Sequence, residues 1–385
     1  MTHRRHALAR IARAGFATAT AALGTLAAPV RAEVTSSGNE QTLRIATTWR
    51  GPGDQDPYEV GVFQVDLARG SLRRLWSRAL PARAHGLQAL PDGGLLVAAA
   101  RPGRWLMRVG ADGSQPALRW LDDEPDAHRS DGHLLVDPSG HRLWTPQTDR
   151  RGQGWIALRD PLTLALRARW PAHGVDPHQL LLDEDGHLLL ALGGIRRTPD
   201  GHKVDLERMK SALVKLHHDS GALLGRWTLS DPRLSLRHLA WSTPGVGQPR
   251  RLGIALQAEH DDPAQRAGAP LLAWWDGDSL HTALDGAPLA GYAGDIGAAP
   301  DGGFVLSAQS AGRAVHWTAG PSVQDASAAQ TVARLRQACA LAAAPDGALW
   351  ITAPAGLARW HPDQPPRLLR WPGPLLPDNH ALLLG

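Results

Sequence analysis

The chain has 385 residues, 43% apolar and 20% charged, which is the composition of an ordinary folded protein and not of a disordered or fibrous one. Its formal charge of +4 comes from the first 32 residues, which hold five arginines and no acid; the remainder carries 36 basic against 37 acidic residues. A near-neutral body gives no electrostatic footprint for nucleic acid or an anionic membrane, and a single cysteine, Cys339, excludes an internal disulfide.

The N-terminus reads as a targeting segment. Arg4-Arg5 precedes a weakly apolar, Ala-rich run from Ala14 to Val30, and Val30-Arg31-Ala32 offers a small-residue cleavage site. The run is too short and too rich in Ala and Thr to span a membrane. Paired arginines with modest hydrophobicity fit the twin-arginine route, although Ala7 stands where that signal usually has a large apolar residue, so a general secretory signal stays open. The expected organisation is an export signal over 1–32 and one domain over 33–385, soluble in the periplasm.

From Thr42 onward, short apolar runs such as Leu95-Leu96-Val97-Ala98 and Leu188-Leu189-Leu190-Ala191 alternate with Gly, Pro and Asp. Helical periodicity is limited to a turn or two near Leu206–Lys215, so the chain reads as all-β. A turn signature recurs at Pro91-Asp92-Gly93, Pro138-Ser139-Gly140, Glu184-Asp185-Gly186, Pro300-Asp301-Gly302 and Pro345-Asp346-Gly347, with glycines 47, 46, 116 and 45 residues apart. The long gap fits two units plus an insertion. Period and turn chemistry predict a single β-propeller of the WD40/YVTN-like kind. Its seven four-stranded blades are expected near 43–82, 83–127, 128–172, 173–232, 233–290, 291–335 and 336–381, with an insertion over 193–215. The 15 tryptophans fit packing between blades.

Seven or eight residues before each turn glycine begins the innermost strand, which faces the central channel. At or beside that register stand His85, His133, His178, His238, Asp295 and Cys339, with Arg83 and Arg237 next to two of the histidines. Imidazole, carboxylate and thiolate are metal-ligand types, so the four histidines are candidate ligands for an iron or zinc ion at one channel mouth. The competing reading is that each polar head caps backbone at a strand entry and lines a wet channel. The unrepeated insertion adds Arg196, Arg197 and Lys203 as possible contacts, since loops on a rigid scaffold often carry function. Arg101 and Arg104 fall on one turn and suit an anion clamp, though a plain surface loop accounts for them as well. Asp54 with Asp56, and Glu259-His260-Asp261-Asp262, are acid-rich loops of the kind that hold hard cations or are simply solvated. The sequence has no nucleophile elbow, phosphate loop or dinucleotide fingerprint, so no catalytic residue is assigned.

Several segments together resemble the bacterial family called domain of unknown function 1513: Leu80-Pro81-Ala82-Arg83-Ala84-His85-Gly86, Arg101-Pro102-Gly103-Arg104, Gly132-His133, His173-Gly174-Val175-Asp176-Pro177-His178, Gly193-Gly194-Ile195 and Ser235-Leu236-Arg237-His238-Leu239-Ala240. The chain departs from the family pattern at Leu192, at Arg197-Thr198-Pro199, at Asp205 and at Arg129-Ser130-Asp131, so the insertion diverges while the channel histidines persist. The resemblance implies an exported propeller and partners among imelysin-type or other iron-uptake proteins, and it implies no reaction. The expected function is therefore a non-enzymatic periplasmic propeller, a binding or scaffold component of iron or other metal acquisition. A metal-dependent, lactonase-like propeller hydrolase and a pure protein-interaction propeller are the alternatives.

Overall fold

The computed structural model describes residues 43–114, 116–243, 250–318 and 329–384; the expected export signal over 1–32 lies outside them. Within Thr42–Gly385 the chain forms seven antiparallel four-stranded sheets, the third with a broken first strand, as a seven-bladed propeller. A two-stranded hairpin, Arg196–Arg197 with Lys203–Val204, is added in blade four. Among the described residues no helix is long and apolar enough to cross a membrane.

Burial follows the sheet order. The second strands of blades two, four, six and seven (Leu95–Ala99, Leu188–Leu192, Phe304–Ala308 and Leu349–Ala353) are buried along their whole length. They are covered on both faces by neighbouring blades, which is why they read as continuous apolar runs without alternation. Leu189 and Leu213 of blade four, for example, pack with Leu236 and Ile254 of blade five. The outer strand Gln364–Leu369 is exposed except at its last residue. The five repeated turn glycines sit at φ between +74° and +83°, a conformation that excludes a β-carbon at low cost.

One expectation is corrected. The last strand does not belong to blade seven. Leu376–Leu384 pairs with Arg44–Arg50 and becomes the innermost strand of blade one, closing the ring between the two ends of the domain. The helical tendency near Leu206–Lys215 yields only a 3-10 turn at Leu206–Arg208, because Ala212–Leu216 is drawn into blade four as a strand. Among the described residues the one α-helix is Pro263–Gly268, in the acid-rich segment. Asp262 caps it by accepting from Ala264 and Gln265 N–H, with Pro263 at its first position.

Candidate functional site

The innermost strand is irregular wherever it carries a channel histidine. In blade two, Ala84 pairs with Ala99 and Leu87 with Val97, so His85 and Gly86 together oppose Ala98. In blade four His178 and Gln179 oppose Ala191, and in blade five Arg237 and His238 oppose Ala255. In blade three the strand is interrupted between Ser130 and Leu135, around His133. In blade one the register shifts between Thr47–Ala381 and Trp49–Pro377, which frees Asp378, Asn379 and His380. A bulge adds twist and re-aims a side chain; here five bulges or breaks turn five imidazoles inward. Close approach of the blades depends on Gly86, where an added β-carbon would lie 2.3 Å from the Gly132 carbonyl oxygen.

The five rings form one cluster. Centroid separations are 4.3 Å for His133–His178, 4.7 Å for His85–His133, and 4.8 Å for His178–His238, His238–His380 and His85–His380. All five have lowered pKa values, caused first by burial and then by neighbouring rings and arginines; that of His380 falls to about 3. The imidazoles are therefore neutral at neutral pH and retain lone pairs. His85, His133, His238 and His380 each offer a ligand atom, all within 4.8 Å of one another. Each of the four also has a buried nitrogen without a hydrogen-bond partner: Nε2 of His85, His133 and His380, and Nδ1 of His238. A tetrahedral ion with bonds of about 2.1 Å would want its ligand atoms roughly 3.4 Å apart, so a small contraction suffices and the residues fit a metal.

Three of the four predicted histidines fall in this group; the fourth place is taken by His380. His178 adjoins it with its Nε2 3.2 Å from His238 Nε2, and its Nδ1 receives Arg101 at 2.6 Å. Behind His85, the Asp378 carboxylate lies 3.8 Å from Nδ1 and is held by Arg83 through Nε (2.7 Å) and a terminal nitrogen (3.0 Å). Burial raises the Asp378 pKa, but the His85 and Arg83 contacts outweigh it and hold the group below the usual carboxylate range. Carboxylate–histidine pairs of this kind orient metal ligands.

Asp295 does not join the histidines. Its two oxygens accept the N–H of Ile296 at 2.9 Å and of Leu341 at 2.8 Å, which ties blade six to blade seven, and burial pushes its pKa up to about 8. Cys339 is equally committed: its Sγ contacts the Gln309 amide nitrogen and the Gln337 carbonyl, each at 3.1 Å, and burial raises the thiol to about 12.

Beside the cluster lies a cleft of about 510 Å³, lined by Arg101, Arg129, Arg150, Arg151 and Arg197 together with Asp131, Asp149 and Asp176. Asp176 is its buried anchor. It pairs with Arg101, with Arg237 at 2.9 Å and with Arg197 at 3.7 Å, and Gly193 donates its backbone N–H to the Asp176 carbonyl at 2.8 Å. A β-carbon at Gly193 would lie 2.2 Å from the Asp176 carboxylate, so glycine is what lets the insertion leave the blade here. Asp131 is buried, accepts Thr148 Oγ1 at 2.7 Å and is pushed up to about 7 by that burial, which weakens its negative charge in the cleft.

Arg197 thus reaches the site and Lys203 pairs with Glu259, whereas Arg196 is exposed. Arg101 and Arg104 do not form one clamp, because Arg101 turns inward and Arg104 pairs with Asp122. The acid-rich loops are engaged as well: Asp54 with Arg50, Asp56 with Gly53 N–H, His260 with Asp231 and Asp261 with Arg233. Reading the sequence missed His380 and Asp378, because the ring-closing strand has no turn glycine after it from which to count a register.

A family model described as "Protein of unknown function (DUF1513)" matches residues 78–384. The chain belongs to the DUF1513 family. No curated protein matches it in sequence. Among solved structures, this DUF1513 propeller is similar to a 6-phosphogluconolactonase-like protein of Bacteroides uniformis (13% identity, TM-score 0.57, 89% of this chain and 99% of that one). It is also similar to virginiamycin B lyase of Staphylococcus aureus (10%, 0.53, 76% and 85%) and to a periplasmic gluconolactonase of Pseudomonas aeruginosa (15%, 0.51, 78% and 84%). At these identities the likeness establishes the propeller fold alone.

Proposed function

We propose that this protein is a transition-metal-binding propeller, a non-enzymatic and exported component of iron or other metal acquisition. His85, His133, His238 and His380 are the ligands. The observation that carries this reading is the group of four imidazoles, three buried and His380 half-buried, with ligand atoms inside 4.8 Å and a buried unpartnered nitrogen on each. Neutral nitrogen donors select borderline divalent ions such as Fe²⁺, Zn²⁺ or Cu²⁺ over hard cations. The arginine cleft beside them is suited to an anion, so the ion can arrive as a carboxylate chelate whose charges meet Arg150 and Arg151. Periplasmic location is supported by the Arg4-Arg5 leader pattern, and imelysin-type partners follow from the family resemblance.

The lactonase-like alternative requires carboxylate or neutral oxygen ligands for a hard cation and an activated water. The four-ligand group contains histidines only, and the in-register acid Asp295 spends both oxygens on backbone N–H groups. The test is calorimetric titration of the purified full chain with Fe²⁺ (anaerobically) and with Zn²⁺, against a variant with all four ligands changed to Phe. Binding of one equivalent that disappears in the folded quadruple variant supports the function; unchanged affinity in that variant refutes it.

A further inference from the structure

A second histidine group lies at the other end of blade four. His187 closes the turn between Pro177–Leu182 and Leu188–Leu192, and His217 and His218 open the turn between Ala212–Leu216 and Leu223–Trp227. These turns alternate along the chain with the insertion after Leu192, so they occupy the face opposite the channel histidines. One strand length separates the two groups, about 13 Å over the four residues from His178 to Leu182.

The three imidazoles are half-buried and converge. Ring centroids are 4.9 Å apart for His217–His218, which stack with 15° between planes, 5.1 Å for His187–His217 and 5.6 Å for His187–His218. The three offer ligand atoms within 4.8 Å of one another. The nitrogens left over point to what is missing. His218 Nδ1 is buried and has no partner, and its Nε2 lies 3.0 Å from the Asp219 carboxylate. His187 Nδ1 is buried and unpartnered as well. His217 Nδ1 accepts the Asp219 N–H at 3.3 Å, so the neutral ring keeps its lone pair on Nδ1, and an ion there must displace that long contact. Asp219 thus positions two of the three rings and is itself held by Arg142 at 3.3 Å. The His218 carbonyl accepts Trp144 Nε1 from blade three at 3.2 Å, which fixes the turn from a neighbouring sheet. Stacked imidazoles gain little from each other in water, whereas three converging imidazoles, two with a buried unpartnered nitrogen, beside a carboxylate are the donor set of a divalent d-block ion.

We infer that His187, His217 and His218 form a second metal site, on the face opposite the channel, which binds Zn²⁺ or a similar borderline divalent ion and leaves a coordination position open to solvent or to a ligand from another molecule. The site is independent of the channel group, so it is tested with that group disabled. A full chain carrying His133→Phe and His380→Phe is titrated with Zn²⁺, and Cu²⁺ bound to the same protein is examined by electron paramagnetic resonance. The expected result is one equivalent of Zn²⁺ and a Cu²⁺ spectrum with coupling to three nitrogens. Adding His187→Gln and His218→Gln abolishes both. Asp219→Asn keeps all three ligands on an exposed residue that does not threaten folding, and it weakens Zn²⁺ binding by roughly 10- to 100-fold. Absence of the equivalent in the channel-disabled protein overturns the inference, as does an isotherm unchanged by His187→Gln and His218→Gln.

Discussion

Arg101 donates to Nδ1 of His178 at 2.6 Å. A guanidinium has no acceptor, so the contact puts the His178 proton on Nε2, and from there it is donated to His238 Nε2 at 3.2 Å. With Nε2 accepting, the His238 proton sits on the unpartnered Nδ1, so an ion at Nδ1 must shift that proton to Nε2 against His178, and the two compete for the ring's one lone pair. Replacing His178 by Phe keeps the ring packing and removes the competitor, so metal affinity at the channel is expected to stay within threefold or to tighten, an effect of about 1 kcal/mol or less. Replacing His380 by Phe removes a ligand and should weaken binding by more than tenfold. Equal losses in the two variants, read by calorimetry, would show that His178 is a ligand instead.

The same cluster sets a pH profile for the metal-free protein. Five imidazoles are neutral in the fold because burial lowers their pKa values, while the unfolded chain takes up protons near pH 6.5. Stability is therefore lost as pH falls below 6.5. Asp131 and Asp295 act in the opposite direction: raised to about 7 and about 8, they stay protonated in the fold, and their contribution is lost as pH rises above about 4. Between pH 4.5 and 6 the neutral imidazoles outnumber the two raised carboxyls, so unfolding free energy should rise with pH toward a maximum near pH 6.5. Urea unfolding at pH 5.0 and 6.5 after chelator treatment measures this. His380→Phe should reduce the slope by about one proton, and a flat profile across that interval would rule out the neutral cluster.

The propeller was legible because its signal is repetitive: turn glycines about 46 residues apart, and second strands that are apolar without alternation because both faces are covered. The three ligands His85, His133 and His238 were legible through the same counting. His380 escaped it because its strand pairs across the two ends of the domain, where no hairpin links strand one to strand two. Asp295 was in register yet serves backbone N–H groups, since register fixes where a residue starts and not which hydrogen bonds claim it. Asp176 stood out in the sequence only as part of a family-like segment. That it gathers Arg101, Arg197 and Arg237 depends on three blades and an insertion meeting in space, which spacing along the chain does not encode.

The cleft offers a separable measurement. Arg150 and Arg151 are exposed on its rim, and Arg101 and Arg197 lie deeper, engaged with Asp176. If the ion arrives as an anionic chelate, Arg150→Glu with Arg151→Glu should weaken binding of ferric citrate by about tenfold or more and steepen its loss with salt. Affinity for aqueous Zn²⁺ should change by less than threefold, because these side chains do not touch the imidazoles. Parallel changes for both ligands would mean that the cleft acts only through the general field of the mouth.

Asp378 connects the ring closure to the ligand group. It stands two residues before His380 on the strand that seals blade one, it is buried, and it faces His85 Nδ1 while gripping Arg83. In Asp378→Asn the side chain keeps its shape and loses its charge. His85 then has no anion to hold its Nδ1 proton, and its ring is free to turn or change tautomer, which withdraws Nε2 from the group. Loss of a carboxylate behind a histidine ligand typically costs 10- to 100-fold in metal affinity, and that is the fall expected here by competition against a chelator. The Asn379 N–H also bonds Asp378 at 2.8 Å, and an asparagine oxygen still accepts it, so the strand should remain paired. Blade closure and metal affinity are thereby separated: an intact cooperative melt with weakened binding identifies Asp378 as a positioning residue for His85. A broken melt with unchanged affinity in the surviving folded fraction would assign it to ring closure alone.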